Sequence, residues 1–385
     1  MWSRKRKIKQ KKKTQTLKQH NEIRIMISGG GTGGHIFPAI AIANALKRKN
    51  PAIEILFVGA EGRMEMEKIP NAGYNIVGLP IAGLQRKLSA KNFLLPFKIV
   101  RSMLKANGII SRFKPHVTVG VGGYASGPVV FLSSLRGMPT LIQEQNSYAG
   151  ITNKILGKRA KKICVAYENM ERFFSEKKII VTGNPVRKDL KEMKISRDEA
   201  LSFFGLKNNL KTILVIGGSL GSRTLNESVK QNLKEIKHQE IQLIWQTGKN
   251  YFEGCKLPAS DYKDRIKVFD FIQRMDCAYA AADVVISRAG ALSISELCVV
   301  KKPSVLVPSP NVTEDHQTKN AMALVNKNAA ILVKDEDAKE KLIDATINLL
   351  NDEIKMQTMK QNLSSLAKPN ADDEIAEEIL KLIKA

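Results

Sequence analysis

Two short apolar segments, each followed by a run of glycines and then by a helical pattern, limit the fold most strongly. The first covers residues 23–28 and leads into the glycine run of residues 29–34. The second covers residues 211–216 and leads into GGSLG at residues 217–221. Such a turn is typical of a βαβ unit, because glycine allows positive φ and the close approach of other groups. Two such beginnings predict two doubly wound halves.

The rest of the chain continues the alternation of strands and helices that indicates parallel sheets. Strands are predicted at residues 23–28, 53–59, 117–120, 140–143, 162–166, 179–181, 211–216, 241–245, 266–269, 284–287 and 304–307. Helices are predicted at residues 37–49, 129–136 and 372–384. A length of 385 residues suits two domains. We therefore expect an α/β fold of two Rossmann-like domains.

The polar stretch of residues 184–196 separates the two halves. The predicted division is a basic tail, an N-terminal domain, a C-terminal domain and a last helix that can pack on either domain. These segments are residues 1–22, 23–185, 186–370 and 371–385, respectively.

The positive charge of the chain is concentrated in its first half. Residues 1–22 carry nine Lys or Arg and one Glu, residues 23–185 carry 23 basic and eight acidic residues, and residues 186–385 carry 30 and 28. This asymmetry predicts an anionic partner for the N-terminal half: membrane lipid, a phosphorylated substrate or nucleic acid. Three interpretations of the tail itself stay open: a solubilising segment, an early start codon and a lipid contact.

Several classes of protein are not favoured. The four cysteines form no C-x-x-C pair, so neither a zinc site nor a disulfide framework is expected, and a reducing cytoplasm fits best. No run of about 18 apolar residues exists that could span a bilayer. The aromatic content is 6% and no motif for nucleic-acid binding is present, so a nucleic acid is not expected as a partner.

The first glycine run offers an anion site with a histidine beside it. Gly29, Gly31 and Gly34 satisfy G-x-G-x-x-G, and the following helix start offers free N–H groups. A dehydrogenase also needs an acidic residue after the second strand, and Glu61 leaves that interpretation open. No Walker lysine is present. His35 is either a general base on a hydroxyl or a histidine that caps or packs the helix.

Seven segments together resemble one family, the bacterial transferases that add N-acetylglucosamine (GlcNAc) from UDP-GlcNAc to lipid I and so make lipid II for peptidoglycan. The segments are GGTGGHIFP (residues 30–38), GVGGYASGP (120–128), EQNSYAGITN (144–153), GNPVR (183–187), GGS (217–219), SRAGALSISE (287–296) and DHQTKNA (315–321). They extend in family order from about residue 23 to 330. The resemblance implies the GT-B fold, in which two Rossmann-like domains face a cleft, with no metal or other cofactor.

The resemblance also implies how the donor UDP-GlcNAc is bound, mainly by the C-terminal domain. Ser219 is expected to hold the diphosphate, Ile272 to meet the uracil, and Gln317 to reach the sugar hydroxyls. Glu296 is expected to accept from two ribose hydroxyls, and Arg187 to neutralise phosphate. The other donor residues implied are Asn146, Thr32, Gly33 and Gly34 from the first domain, and the helix start of Ala291, Leu292, Ser293, Ile294 and Ser295.

On the acceptor side, the resemblance makes His35 the candidate base for the 4-hydroxyl of the N-acetylmuramic acid (MurNAc) unit. A histidine that only orients the acceptor is the alternative. Gly122, Gly123 and Tyr124 are expected to form a further turn on this side. The family inverts the anomeric carbon, so a single direct displacement is implied.

Residues 79–104 are predicted to face a membrane. This segment mixes apolar residues with cations, a composition that suits anionic lipid. The residues of the patch are Leu84, Arg86, Lys87, Leu88, Phe93, Leu94 and Phe97. The alternative is a core helix with a basic solvated edge. A peripheral protein at the cytoplasmic face of the bacterial inner membrane is expected, with lipid I, anionic lipids and proteins of wall synthesis and cell division as partners.

Other functions compete with the lipid I transferase. A GT-B transferase acting on diacylglycerol would share the fold and the donor helix, but is not expected to share both EQNSYAGITN and GGTGGHIFP. A basic nucleic-acid-binding protein and a dehydrogenase are the remaining alternatives.

Overall fold

A computed structural model describes residues 23–81, 95–218 and 220–384 of the protein. The basic tail of residues 1–22, most of the expected membrane patch (residues 82–94) and Ser219 lie outside the described residues. For Leu95, Pro96 and Thr313 the description covers the backbone alone.

The first half forms a seven-stranded parallel sheet with the order β3-β2-β1-β4-β5-β6-β7. Its strands are β1 (Arg24–Ser28), β2 (Glu54–Ala60), β3 (Asn75–Leu79), β4 (Val117–Gly120), β5 (Thr140–Glu144), β6 (Lys162–Val165) and β7 (Ile179–Val181). Its helices are α1 (Gly33–Lys49), α2 (Glu65–Asn71), α3 (Leu95–Phe113), α4 (Ser126–Leu135) and α5 (Ile151–Gly157). The central strands β4 and β5 are buried along their whole length, because helices cover both faces of the sheet.

The second half forms a six-stranded parallel sheet with the order β10-β9-β8-β11-β12-β13. Its strands are β8 (Thr212–Ile216), β9 (Gln242–Gln246), β10 (Ile266–Phe269), β11 (Val284–Ser287), β12 (Ser304–Leu306) and β13 (Ile331–Leu332). This is the strand order of a Rossmann fold. The predicted α/β class with two Rossmann-like sheets is therefore confirmed.

Eleven helices belong to the second half and the chain end. They are α6 (Lys188–Lys191), α7 (Arg197–Phe204), α8 (Arg223–Gln231), α9 (Leu233–His238), α10 (Phe252–Lys256), α11 (Met275–Ala281), α12 (Ala291–Val300), α13 (His316–Val325), α14 (Ala338–Asn351), α15 (Glu353–Leu366) and α16 (Ala371–Lys384). Short 3-10 turns lie at Glu176–Lys178, Lys249–Tyr251, Ser260–Tyr262 and Thr313–Asp315.

The last helix, α16, returns to the first half, a choice that the sequence left open. Ile375, Ala376 and Ile379 are fully buried in the core that α1 and the first sheet form. Asp372, at the start of the helix, accepts hydrogen bonds from Arg48 of α1 at 2.7 Å and Lys191 of α6 at 2.5 Å. The chain thus crosses between the halves twice, once before α6 and once after α15.

Some elements differ from the sequence-based expectation. Helix α1 begins at Gly33 and not at residue 37, so the end of the glycine run is itself the first helical turn. Helices α2 and α3 and strand β3 were not predicted. Residues 65–71 are mostly polar. The first part of α3, residues 95–104, belonged to the segment of residues 79–104 that was predicted to face a membrane, so no helix was assigned there.

The packing of α16 predicts a loss of stability when its buried face is trimmed. We expect Ile375→Ala to lower the free energy of unfolding of the first half by about 2–4 kcal/mol, because it leaves a cavity between α16 and α1. Thermal unfolding measures the effect. Ile354→Ala, at an 83% exposed position, is the control and should change stability by less than about 0.5 kcal/mol. If Ile375→Ala changed stability as little as Ile354→Ala does, α16 would not be part of this core.

Candidate functional site

A buried carboxylate, Glu65, holds the first glycine turn in place. Its Oε2 accepts from the N–H of Gly31 at 2.9 Å, and its Oε1 accepts from the N–H of Ala60 at 3.0 Å. A Cβ atom at Gly30 would lie 2.1 Å from Oε1, so only glycine fits there. Gly31 has a φ of +89°, which also favours glycine. Glu65 on α2 thus joins the ends of β1 and β2 and fixes the turn that leads to His35.

The imidazole of His35 is oriented by the same turn. Its Nδ1 lies 3.0 Å from the carbonyl oxygen of Gly30 and 3.3 Å from Oγ1 of Thr32. Because a carbonyl can only accept, Nδ1 carries the hydrogen and Nε2 keeps its lone pair in the neutral ring. Nε2 faces Gly122, where an added Cβ atom would lie 2.9 Å away. The lone pair is therefore directed toward the second glycine turn of this half.

Burial lowers the pKa of His35 below its usual value of 6.5. The negative charges of Glu144 and Glu65 and the hydrogen bond with Gly30 oppose the effect, and His316 adds to it. The net direction is downward, so the ring is neutral at pH 7. A neutral imidazole with a free Nε2 can accept a proton.

The turn at Gly122 and Gly123 packs directly on the first glycine turn. A Cβ atom at Gly123 would lie 2.3 Å from the carbonyl oxygen of Gly30. Gly122 and Gly123 both have φ angles above +80°. Tyr124 follows with half of its surface exposed. Of the predicted acceptor-side residues, the structure thus places Gly122 beside His35 and Gly123 against the turn that holds it.

A second buried carboxylate, Glu144, organises the loop after β5. It accepts from the N–H and the side-chain amide of Asn146 at 3.0 and 3.3 Å, and from the N–H of Gly150 at 3.1 Å. Asn153 of α5 donates to it at 2.8 Å. These bonds shape the EQNSYAGITN segment and present Asn146 toward the other half.

Asparagine side chains connect the two halves across the cleft. Asn320 of α13 donates to Oδ1 of Asn146 at 3.2 Å and accepts from the N–H of Ser147 at 2.9 Å. Asn184, at the first crossover, donates to Ser295 of α12 at 3.1 Å. The predicted donor residues Asn146 and Ser295 therefore lie at the junction of the halves.

The glycine turn of residues 217–221, in the second half, packs against the end of β9. Gly218 and Gly221 have φ angles of +84° and +79°, and a Cβ atom at Gly221 would lie 2.0 Å from the carbonyl oxygen of Thr247. Ser222 caps α8 by accepting from the N–H of Leu225 at 3.3 Å. The expected phosphate contact of Ser219 falls on an undescribed residue and stays a prediction.

Glu296 lies in a cluster with Arg187 and Tyr279. The Tyr279 hydroxyl donates to its Oε2 at 3.1 Å. Burial raises the pKa of Glu296 to about 7, while the charge of Arg187 and the bond from Tyr279 favour the carboxylate. Arg187 donates to both carboxylate oxygens of Asp189, at 3.1 and 2.5 Å, which raises its pKa despite burial. The site therefore holds a carboxyl group whose pKa is near neutral pH.

The start of α12 is an open helix N-terminus. Gly290 is its N-cap, no side chain caps it and its first turn has no acidic residue. Ala291, Leu292 and Ser293 are partly exposed, so their N–H groups can meet an anion. By contrast, Ile294 is 2% exposed and Ser295 is bonded to Asn184, so these two predicted donor residues point to the junction of the halves.

The remaining predicted donor residues, Gln317 and Ile272, also lie in the second half. Gln317 accepts from the N–H of Ser309 at 2.9 Å, which leaves its NH2 group to donate elsewhere. Ile272 is 3% exposed and its N–H donates to Gln246 at 2.9 Å. Before α13, Glu314 and Asp315 both have left-handed backbones with φ near +55°, a strained arrangement that fixes where α13 begins.

Four residues of the candidate site were not predicted from the sequence: Glu65, Glu144, Tyr279 and His316. The negative charges of Glu65 and Glu144 act on His35, as does His316 of α13 from the other half. His316 was within the quoted DHQTKNA segment, and Glu144 began EQNSYAGITN. The signal for Glu65 is weak, because an acidic residue on a short polar helix is usually solvated. Glu61, the acidic residue that kept the dehydrogenase interpretation open, pairs instead with Lys105 at 2.6 Å.

Two family models together match most of the chain. The glycosyltransferase family 28 N-terminal domain matches residues 25–165, and the glycosyltransferase family 28 C-terminal domain matches residues 212–377. The chain therefore belongs to glycosyltransferase family 28, and its two facing Rossmann-like halves are a GT-B fold.

Relatives narrow this class to one family of transferases. A Phocaeicola vulgatus protein named UDP-N-acetylglucosamine--N-acetylmuramyl-(pentapeptide) pyrophosphoryl-undecaprenol N-acetylglucosamine transferase is 56% identical over 362 residues, which cover 94% of this chain and 96% of that protein. A Parabacteroides distasonis protein of the same name is 54% identical and covers 94% and 98%. The crystal structure of Acinetobacter baumannii MurG superposes with a TM-score of 0.76 at 29% identity, covering 93% and 99%. The chain belongs to this family of N-acetylglucosamine transferases.

The contacts of Glu296 predict that its pKa changes when the neighbouring hydroxyl is removed. We expect Tyr279→Phe to raise the pKa of Glu296 above 7, because the lost hydroxyl donates to the carboxylate form. Carbon-13 NMR titration of glutamate side chains measures the shift. Tyr262→Phe, distant along the same half, is the matched control and should leave it unchanged. A pKa that falls or stays constant in Tyr279→Phe would contradict the described hydrogen bond.

Proposed function

We propose that the protein transfers GlcNAc from UDP-GlcNAc to the 4-hydroxyl of MurNAc in undecaprenyl-pyrophosphoryl-MurNAc-pentapeptide (lipid I), giving lipid II for peptidoglycan synthesis. It is an inverting hexosyltransferase. The observation that carries this proposal is the identity of more than half the residues with curated transferases over 94% of the chain. The geometry of the two halves supports it, because His35 of the first half is influenced by His316 of the second half, which also carries the open α12 N-terminus and Glu296.

The donor is assigned to the second half, within residues 186–370. The N–H groups at the start of α12 and the guanidinium of Arg187 match a diphosphate, and the carboxylate of Glu296 matches two ribose hydroxyls. The free NH2 group of Gln317 can donate to the sugar. From residues 23–185, Asn146, Thr32, Gly33 and Gly34 border the same space.

The reaction is proposed as one displacement at the anomeric carbon. Nε2 of His35 takes the proton of the attacking hydroxyl, and the new glycosidic bond forms as the bond to UDP breaks. The negative charge that develops on UDP is stabilised by the α12 N-terminus and Arg187, which are fixed before the reaction begins. Gly122, Gly123 and Tyr124 line the acceptor side next to the base.

The first half is proposed to contact the membrane that contains lipid I. On α3, Phe97 is 74% and Leu104 is 69% exposed, and Lys98 and Arg101 are exposed beside them. Apolar side chains with neighbouring cations suit an anionic lipid surface. The helix directly follows residues 82–94, which contain Leu84, Arg86, Lys87, Leu88, Phe93 and Leu94 of the predicted patch. In the part of the chain that the structure describes, no helix is long and apolar enough to cross a membrane.

A peripheral position on the cytoplasmic face of the inner membrane follows from this proposal. Proteins of wall synthesis and cell division stay predicted partners.

Transfer of label from radioactive UDP-GlcNAc to a lipid I analogue, with EDTA present, tests the function. We expect transfer by the native protein and a decrease in kcat of about 100- to 10,000-fold in His35→Ala, because the proton acceptor is lost. Glu296→Ala should mainly raise the donor KM, since it removes the ribose ligand. His238→Ala, an exposed histidine on α9, is the control and should retain full activity.

Three outcomes would revise the proposal. Label in diacylglycerol but not in the lipid I analogue would assign the other GT-B activity. Loss of transfer in EDTA, restored by a divalent cation, would contradict a reaction supported by protein groups alone. Full activity of His35→Ala would remove the proposed base.

Vesicle binding tests the membrane contact. We expect Phe97→Ser/Leu104→Ser to weaken cosedimentation with phosphatidylglycerol vesicles by at least about tenfold, because two apolar side chains no longer enter the lipid interface. Ile354→Ser, an exposed apolar residue in the second half, is the control. Unchanged binding of the α3 variant would place the contact elsewhere.

A further inference from the structure

A cavity of about 500 Å³ lies between the two halves, beside Ile294, Ser295 and Cys298 of α12. Its volume is in the range of small-molecule sites. Tyr167 and Arg172 contribute from the first half, Lys319 and Lys327 from the second, and Gly183 and Lys368 from the two crossovers. His35, Arg187, Glu296 and Gln317 do not line it, whereas Ile294 and Ser295 of the predicted donor helix do, so the cavity adjoins the proposed transfer site without including those four residues.

The two crossovers are in contact at this cavity. Gly183 has a φ of +85°, and a Cβ atom there would lie 2.4 Å from Cβ of Lys368. Glycine thus lets the second crossover pack on the first. The walls of the cavity therefore come from both halves and from both connections between them.

The charge of the lining is strongly positive. Arg172, Lys319, Lys327 and Lys368 face a single acidic residue, Glu168. Arg172 donates to the carbonyl of Ser147 at 2.9 Å, and Lys319 lies 3.4 Å from the ring centre of Tyr148. The side-chain ammonium groups of Lys327 and Lys368 have neither a hydrogen bond nor an ion pair with any described residue. These two cations are exposed and free to bind an anion.

The lining also has an apolar part and an unused hydrogen-bond group. Val181, Met322 and Leu366 supply apolar surface. The hydroxyl of Tyr167 is buried and has no hydrogen-bond partner among the described residues. A buried polar atom without a partner is unfavourable, and a ligand oxygen that accepts its hydrogen bond would remove that penalty.

We propose that this interdomain cavity binds a small organic anion with an apolar body, such as an aryl or alkyl phosphate or carboxylate. The anionic group lies between Lys327 and Lys368, and the body lies against Val181, Met322 and Leu366. Because its walls belong to both halves, the bound molecule restrains their relative movement. It therefore lowers kcat without competing with UDP-GlcNAc.

Thiol labelling at Ala323, a half-buried residue of the cavity wall on α13, tests the charge of the site. The Ala323→Cys protein is treated with an anionic and a cationic methanethiosulfonate, and each rate is divided by that for a free thiol. We expect the anionic reagent to react at least about tenfold faster, because the cations concentrate it. Peptide mapping separates this thiol from that of Cys298, which also lines the cavity.

Charge variants provide the matched comparison. Adding Lys327→Gln/Lys368→Gln should bring the ratio of the two rates close to one, whereas adding Lys234→Gln/Lys263→Gln, two exposed lysines elsewhere on the second half, should not. A ratio near one in the parent, or the same decrease in both double variants, would overturn the proposal.

Inhibition of the unlabelled protein by 1-naphthyl phosphate is a second test that needs no cysteine. We expect inhibition that saturating UDP-GlcNAc does not relieve, that is weaker with inorganic phosphate, and that Lys327→Gln/Lys368→Gln reduces at least about tenfold. Competition with UDP-GlcNAc would place the probe in the donor cleft. Equal inhibition by inorganic phosphate, or no effect of the variant, would also overturn the proposal.

Discussion

The arrangement of the cleft depends on two carboxylates that are buried in the first half and bonded to the backbone. Glu65 accepts from Gly31 and Ala60, and Glu144 accepts from Asn146 and Gly150. A buried charge is costly unless hydrogen bonds compensate it, so each carboxylate favours the single loop conformation that supplies those bonds. The loops at the ends of β1, β2 and β5 are thereby fixed around His35. The same charges raise its pKa against the effect of burial.

The second constraint is the way the two halves are joined. Polar bonds between Asn146 and Asn320 and between Asn184 and Ser295 connect them across the cleft, and α16 returns to the first half. Hydrogen bonds of this kind can open at modest cost, whereas separating α16 from α1 would expose fully buried apolar side chains. Such a joint suits the proposed cleft, which must admit a large lipid-linked acceptor and a nucleotide sugar. It also leaves room at the crossovers for the positively charged cavity.

The sequence predicted the class of fold and the two glycine turns, because both depend on local patterns. A strand that ends in glycines and leads into a helix has few alternatives, and both turns lie where they were expected. His35, Gly122 and Gly123, which the motifs assigned to the acceptor side, lie close together in the structure. What the sequence could not predict depends on tertiary contacts. Glu65 is on a short polar helix whose burial follows only from packing against β2 and β3, and the side on which α16 packs is set by the complementary surface of α1.

The orientation of His35 is the point at which this geometry meets the proposed chemistry. Its Nδ1 donates to the carbonyl of Gly30, which leaves Nε2 to accept the proton of the acceptor hydroxyl. Nitrogen-15 NMR of the full-length protein, with His35→Gln used to assign the signal, measures the tautomer and the pKa of this ring directly. We expect a neutral ring with hydrogen on Nδ1 and a pKa below 6.5. Hydrogen on Nε2, or a pKa above 6.5, would contradict the role of His35 as the base.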